Sequence, residues 1–179
     1  MRRGIRIAVI PAAGRGNRIA ELPLTKILPK PMLPLLNRPI MEYIISWLRK
    51  IGIEKIYPII SFKKEIFKQY FGDGRDFGIK INYIECPDSK NIGGLADGIY
   101  LARQFIKEPF MVVLGDDFTI TKSPARLVKT FFEKRALAVE AVVKDSDINS
   151  LKRTCSVNLN KNGKILDIVE KPNKPCWKM

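Results

Sequence analysis

Short apolar runs alternate with amphipathic segments along most of the chain. Residues 5–11 (IRIAVIP) are almost continuously apolar, which is typical of a strand covered on both faces of a sheet. Residues 39–51 place apolar side chains at helical spacing, with Pro39 near the start and Gly52 just past the end. The pattern therefore predicts a strand, a glycine-containing loop and a helix, in that order.

The same alternation continues towards the C-terminus. Strands are predicted at 53–61, 78–85, 110–114 and 138–144, and helices at 63–71, 93–106 and 123–136. Pro58 cannot donate a ladder hydrogen bond, so we expect a sheet edge or a bulge at this residue. Near the C-terminus, two strand-like segments flank Asn162 and Gly163, which predicts a β-hairpin.

Strands that alternate with helices predict an α/β fold in three layers. In this Rossmann-like arrangement, helices cover both faces of a mostly parallel sheet, and here a C-terminal β-hairpin follows. The 179 residues suit one ordinary domain, so we predict a single domain over residues 1–179. Because ligands bind at the carboxyl ends of such strands, the loops after Pro11, Glu85 and Leu114 are the candidate binding loops.

Composition narrows the chemistry. The 32 Lys and Arg residues outnumber the 18 Asp and Glu residues, for a net charge of +14, which favours an anionic partner such as a nucleotide, a phosphosugar or a nucleic acid. Histidine is absent, which excludes Ser-His-Asp and Cys-His catalysis. Three cysteines without a C-x-x-C spacing predict neither a disulfide framework nor a zinc site. With no membrane-length apolar run and no signal-peptide cleavage pattern, we expect a cytoplasmic protein that does not bind membranes.

Two loops carry candidate chemistry. Residues 14–18 (GRGNR) follow the first predicted strand; the glycines let backbone N–H groups approach an anion and the arginines can grip phosphate oxygens. An ordinary tight turn is the alternative. Asp116 and Asp117 directly follow a later apolar run, where a carboxylate can hold Mg²⁺ together with phosphates and water. Because neighbouring side chains point to opposite sides of a strand, we expect only one of the two aspartates to bind the metal. The alternative is a simple turn without a metal.

Five segments, in this order, resemble the sugar-1-phosphate nucleotidyltransferases, the family of glucose-1-phosphate thymidylyltransferases and uridylyltransferases. They are PAAGRGNR (11–18), LPKPMLPLLNRPIMEYII (28–45), GGLADGIYLAR (93–103), LGDDF (114–118) and GKILDIVEKP (163–172). The resemblance implies a nucleotide-diphospho-sugar transferase-like fold. It also implies a Mg²⁺-dependent enzyme that forms an NDP-sugar and pyrophosphate from an NTP, with dTTP or UTP favoured, and a sugar-1-phosphate, with glucose-1-phosphate as the expected acceptor.

The resemblance also implies roles for particular residues. Arg18 and Lys30 would be the catalytic, phosphate-binding cations, and Asp116 would bind Mg²⁺. Glu170 and Lys171 would hold the sugar and its phosphate. The expected nucleotide contacts are Ala12, Ala13, Gly14, Gly16, Gly94, Leu95 and Ala96. The absence of histidine agrees with this chemistry, because a sugar phosphate, whose second pKa is about 6, is already anionic and needs no protein base to attack the α-phosphorus.

The sequence departs from the family pattern at three places. Asn17 stands where the family usually has Thr or Ser, and Thr154-Cys155 stands where a Tyr-Gly pair often occurs. The sequence stops at Met179, before the expected position of further strands and a second metal-binding aspartate. Two alternatives stay open. The missing C-terminal elements leave a non-catalytic nucleotide-binding or regulatory relative, and a cytidylyltransferase for another phosphorylated alcohol also resembles the chain, because PAAGxGxR followed by PK occurs in those enzymes. No motif predicts a specific nucleic-acid partner, and apolar residues uncovered near the C-terminus would favour a homo-oligomer.

Overall fold

The computed structural model describes residues 4–14, 23–86, 94–117, 123 and 125–173. Contacts divide the chain into two compact units, residues 1–138 and 139–179. Each unit has its own sheet, and among the described residues the first has several helices and the second has one. The single domain expected over residues 1–179 stays a prediction, because a division by contacts does not show which part of the chain folds independently.

A parallel five-stranded sheet forms the centre of the first unit. Its strands are β1 (Ile7–Pro11), β4 (Lys55–Ile60), β5 (Lys80–Ile81), β6 (Ile84–Glu85) and β7 (Met111–Val112). β1 lies between β4 and β7, and β4 pairs with β5 and β6 on its other side. The short strands β2 (Pro34–Leu35) and β3 (Arg38–Pro39) pair separately and antiparallel. The predicted mostly parallel α/β architecture is thus confirmed.

Helices cover both faces of this sheet. Ala8 and Ile10 of β1 pack into a core with residues of α1 and α2, whereas Ile7 and Val9 pack into a second core beside Leu101 of α3. Successive side chains of a strand point to opposite faces, so the continuous apolar run of β1 requires cover on both sides. The helices of this unit are α1 (Ile40–Lys50), α2 (Lys64–Phe71), α3 (Leu95–Leu101) and α4 (Ala125–Glu133).

Pro58 lies inside β4, which is an interior strand with an unbroken register against β1. The expectation of an edge or a bulge was therefore wrong. On the side away from β1, the carbonyls of Ile56 and Ile60 accept hydrogen bonds from Asn82 (3.0 Å) and Cys86 (2.8 Å). Pro58 lies between these two bonds, where β5 has ended and β6 has not begun. Its missing N–H thus removes no ladder hydrogen bond.

The second unit contains α5 (Ile148–Arg153) and the antiparallel strands β8 (Cys155–Leu159) and β9 (Ile165–Glu170). The hairpin predicted around Asn162 and Gly163 is confirmed. The side chain of Asn160 accepts hydrogen bonds from the N–H groups of Asn162 and Lys164, both at 2.9 Å. Gly163 has a φ of 75°, which glycine adopts without steric cost.

Some predicted elements are shorter than expected or absent. The strand predicted at 110–114 is reduced to β7, and the strand predicted at 78–85 is split into β5 and β6. Residues 138–144, predicted as a strand, have no regular secondary structure. Among the described residues, no helix is both long enough and apolar enough to cross a membrane.

Candidate functional site

The chain leaves β1 at the carboxyl edge of the sheet. The N–H of Ala12 donates to the carbonyl of Ile59 at 2.9 Å, so the backbone stays pinned to β4 just beyond the strand. Ala12 is buried, Ala13 is half-buried and Gly14 is exposed. A side chain added at Gly14 would meet none of the described residues within 4 Å. The backbone after β1 thus emerges from the core into space that a ligand could enter.

Lys30 is held at this edge by its neighbours. It begins a short 3-10 turn, Lys30–Met32, in which Met32 donates to the carbonyl of Pro29 at 2.8 Å. Pro29, Pro31 and Met32 are buried, and each proline fixes its own φ. The backbone of Lys30 is therefore anchored in the core, while its side chain remains 40% exposed.

Gly115 brings a third segment against the same place. Its N–H donates to the carbonyl of Pro11 at 3.1 Å. A Cβ added at Gly115 would lie 3.1 Å from Cγ of Pro31 and 3.2 Å from Cβ of Ala12. Contacts this short leave almost no room for a side chain. Gly115 therefore allows the loop after β7 to approach both the end of β1 and the turn that carries Lys30.

Asp116, the next residue, forms a direct ion pair with Lys30 between Oδ2 and Nζ. The Asp116 side chain is 29% exposed, so the pair is partly shielded but still open to solvent. The predicted phosphate-binding cation and the predicted metal-binding carboxylate thus share one site. The sequence placed both residues in binding loops but did not predict their contact.

The donor set at Asp116 suits a magnesium ion that also binds phosphate. Across the described ranges, no group of three or more His, Cys, Asp or Glu side chains is placed to hold a metal. Mg²⁺ typically takes only one or two protein carboxylates and completes its shell with phosphate oxygens and water. Asp117 is exposed, and its N–H donates to the carbonyl of Leu114 at 3.3 Å in a turn. Within the described ranges, Asp116 could therefore hold Mg²⁺ together with a phosphate ligand.

Gly94, Leu95 and Ala96 lie at the start of α3, which packs against β1. All three residues are exposed, and Leu95 is 51% exposed. The carbonyl of Gly94 accepts the first helical hydrogen bond from Gly98 at 3.2 Å. Their expected contact with a nucleotide base stays a prediction, and the residues directly before Gly94 lie outside the described ranges.

The remaining predicted site residues fall in two groups. Gly16 and Arg18 lie outside the described residues. Glu170 and Lys171 belong to the second unit, where they form an ion pair of 3.2 Å with both side chains more than half exposed. The N–H of Lys171 donates to the carbonyl of Thr154 at 2.9 Å. This hydrogen bond fixes the backbone at the end of β9. The expected role of Glu170 and Lys171 towards the sugar phosphate stays a prediction.

Sequence reasoning missed an ionic cluster at the end of β6. The carboxylate of Glu85 accepts hydrogen bonds from the ammonium groups of Lys64 and Lys68, one helical turn apart on α2. These hydrogen bonds lower the pKa of Glu85 to about 2. A carboxylate with so low a pKa is a poor proton acceptor near neutral pH, and its two ion pairs link the end of β6 to α2. The sequence signal for this cluster was the i, i+4 spacing of the two lysines, which places both on one face of a helix.

The sheet order and the carboxyl-edge site define a nucleotide-diphospho-sugar transferase-like fold. The crystal structure of UDP-glucose pyrophosphorylase complexed with UDP-glucose matches with a TM-score of 0.77 at 25% identity, covering 94% of this chain and 70% of that chain. The family model described as nucleotidyl transferase matches residues 7–178. The chain therefore belongs to the nucleotidyl transferase family, as the five motifs predicted.

Two curated relatives are UTP–glucose-1-phosphate uridylyltransferases. The protein of Mycoplasma genitalium is 38% identical over 148 residues, which cover 70% of this chain and 49% of the relative. The protein of Synechocystis is 34% identical over 177 residues, which cover 92% of this chain and 44% of the relative. The chain thus spans about half the length of these relatives.

Proposed function

We propose that the chain transfers a nucleotidyl group from an NTP to a sugar-1-phosphate, forming an NDP-sugar and releasing pyrophosphate. UTP or dTTP is the proposed donor and glucose-1-phosphate the proposed acceptor. Membership of the family and the names of the two uridylyltransferases support this reaction. The observation that carries the proposal is the meeting of Lys30 and Asp116, which are far apart in sequence, beside the end of β1.

The reaction needs little from the protein in acid–base chemistry. The phosphate of the sugar is already anionic near neutral pH, since its second pKa is about 6, and its oxygen attacks the α-phosphorus as pyrophosphate leaves. The sequence contains no histidine, and this step requires none. The protein must instead align two anions that repel each other and neutralise the charge that develops between them.

Lys30 supplies one positive charge from an anchored backbone. In this proposal its ammonium contacts the α-phosphate, while N–H groups of the loop after β1 and the side chain of Arg18 contact the other phosphates. Asp116 would hold Mg²⁺, which neutralises phosphate charge when bound. Glu170 would accept hydrogen bonds from sugar hydroxyls, and Lys171 would pair with the sugar phosphate.

A panel of five NTPs against several sugar-1-phosphates, with Mg²⁺ present, tests this function through the release of pyrophosphate. We expect release with UTP or dTTP and glucose-1-phosphate. Asp116→Asn should lower the rate by about 100-fold or more, because the proposed metal ligand and its charge are lost. Asp117→Asn is the matched control, since it removes a neighbouring exposed carboxylate, and we expect it to retain the rate within a few-fold.

Two outcomes would contradict the proposed function, and a third would contradict the proposed role of Asp116. No pyrophosphate from any pair, together with tight NTP binding, would identify a regulatory relative. Release only with CTP and a different phosphorylated alcohol would identify a cytidylyltransferase. Equal losses in Asp116→Asn and Asp117→Asn would show that Asp116 has no distinct role in the reaction.

A further inference from the structure

The Lys30–Asp116 ion pair is fixed by backbone contacts on both sides. Lys30 follows the buried Pro29 and precedes the buried Pro31. Asp116 follows Gly115, whose N–H donates to the carbonyl of Pro11 at 3.1 Å. A Cβ added at Gly115 would lie 3.1 Å from Cγ of Pro31. Both side chains therefore project from anchored backbone at the end of β1. The ion pair between Lys30 and Asp116 therefore has a more fixed geometry than an ion pair between fully exposed side chains.

The ammonium of Lys30 and a divalent cation are both attracted to the carboxylate of Asp116. Asp116 is the carboxylate at this position that contacts Lys30, and Asp117 lies in an exposed turn. A cation bound to Asp116 would sit beside the positive charge of Lys30 and would be repelled by it. This repulsion disfavours direct binding of both cations to Asp116 at the same time.

We propose that Lys30 and the divalent cation compete for Asp116, and that Lys30 occupies the carboxylate until the phosphates of a nucleotide draw its ammonium away. This inference rests on the proposed function, because it needs a nucleotide and a metal at the same site. Lys30 then exchanges the carboxylate of Asp116 for a phosphate of the nucleotide. Asp116 becomes free for the cation when phosphate oxygens are present to complete the coordination shell of that cation. Binding of the two ligands is coupled in both directions, as linkage requires.

In the protein without nucleotide, a cation has to displace Lys30 from Asp116 and should therefore bind weakly. Removing the ammonium should strengthen cation binding even though a side chain has been lost from the site. If Lys30 served only to hold the loop after β7 in place, its removal would instead loosen the site and weaken cation binding.

Titration with Mn²⁺ in the absence of nucleotide, followed by the electron paramagnetic resonance signal of free Mn²⁺, tests this prediction. We expect Lys30→Met to bind Mn²⁺ at least about threefold more tightly than the native chain. The gain should vanish in the double variant Lys30→Met/Asp116→Asn. Lys26→Met is the matched control for net charge, because Lys26 is exposed and ends the preceding 3-10 turn, Pro23–Lys26; its affinity should match that of the native chain.

Lys30→Gln is a second variant in case Lys30→Met does not fold, which circular dichroism would show. Unchanged or weaker Mn²⁺ binding in a folded Lys30 variant would overturn the inference, as would an equal gain in Lys26→Met. Failure of the proposed function can be distinguished from failure of this exchange, because the Mn²⁺ titration contains no substrate. Absence of pyrophosphate release would overturn that function alone, whereas retained release with unchanged Mn²⁺ affinity would overturn the exchange alone.

Discussion

Gly115 is the residue on which the geometry of the site most directly depends. It is buried, and an added Cβ would approach Cγ of Pro31 at 3.1 Å and both Cβ of Ala12 and the carbonyl oxygen of Pro11 at 3.2 Å. We expect Gly115→Ala to lower the free energy of unfolding by about 1–2 kcal/mol, because a proline ring and backbone must shift. It should also lower the rate of pyrophosphate release by displacing Asp116. Urea denaturation and the pyrophosphate assay measure the two effects.

Gly98→Ala is the control for this substitution. Gly98 lies within α3, and an added Cβ there would meet nothing within 4 Å. Alanine favours helix over glycine by up to about 1 kcal/mol, so the control should be neutral or more stable. Equal stability of Gly115→Ala and the native chain would show that the three segments are not packed as tightly as the distances indicate.

At the scale of single residues, the sequence identified candidates but not their contacts. Lys30 and Asp116 could be selected because each lies in a segment that resembles the family. Their pairing depends on how the turn Lys30–Met32 packs against the end of β1, and no local pattern encodes that contact. Gly115 was visible as the glycine before Asp116, but its packing role follows only from the tertiary structure.

At the scale of elements, Glu85 links the end of β6 to α2. The hydrogen bonds from Lys64 and Lys68 lower the pKa of Glu85 from its ordinary value of 4.5 to about 2. Because the folded-state pKa is depressed, the stabilisation is complete above the ordinary value and is lost as the pH falls through the folded-state value. We expect Glu85→Gln to unfold at a slightly lower temperature than the native chain at neutral pH. This difference should shrink between about pH 5 and pH 2.

Glu108→Gln provides the control, since Glu108 is exposed and takes part in none of the ion pairs found within the described part of the chain. Its unfolding temperature should follow that of the native chain at every pH. Thermal melts recorded by circular dichroism give the comparison. A difference for Glu85→Gln that does not change with pH would show that the ion pairs are not its cause.

Hydrophobic periodicity recovered the elements with extensive core contacts. β1, α1, β4 and α2 bury most of their apolar residues, and their patterns were correspondingly clear. The strand predicted at 138–144 failed because its alternation has no partner strand in the described residues. α5 was not predicted, since its six residues carry little periodicity, although Asp147 caps it by accepting a hydrogen bond from Asn149 at 2.9 Å.

At the scale of the whole molecule, the position of the site followed from topology. Parallel strands present their carboxyl ends at one edge, which is where such folds bind ligands. Pro11, Lys30 and Asp116 meet there in the first unit. Substrate identity could not be predicted in the same way, because fold does not fix substrate. The activity of the chain therefore has to be measured on the chain itself.

A crystal structure of the chain with Mg²⁺ and UTP would test most directly whether this edge binds the nucleotide. We predict an α-phosphate oxygen within hydrogen-bond distance of Nζ of Lys30, with Asp116 directed at the metal and no longer paired with Lys30. A different site is available for comparison: an open groove of about 680 Å³ at the amino ends of β4 and β5, lined by Arg49, Arg75 and Lys80 among others. An ordered nucleotide in that groove, with the Lys30–Asp116 pair intact, would contradict the assignment of the site.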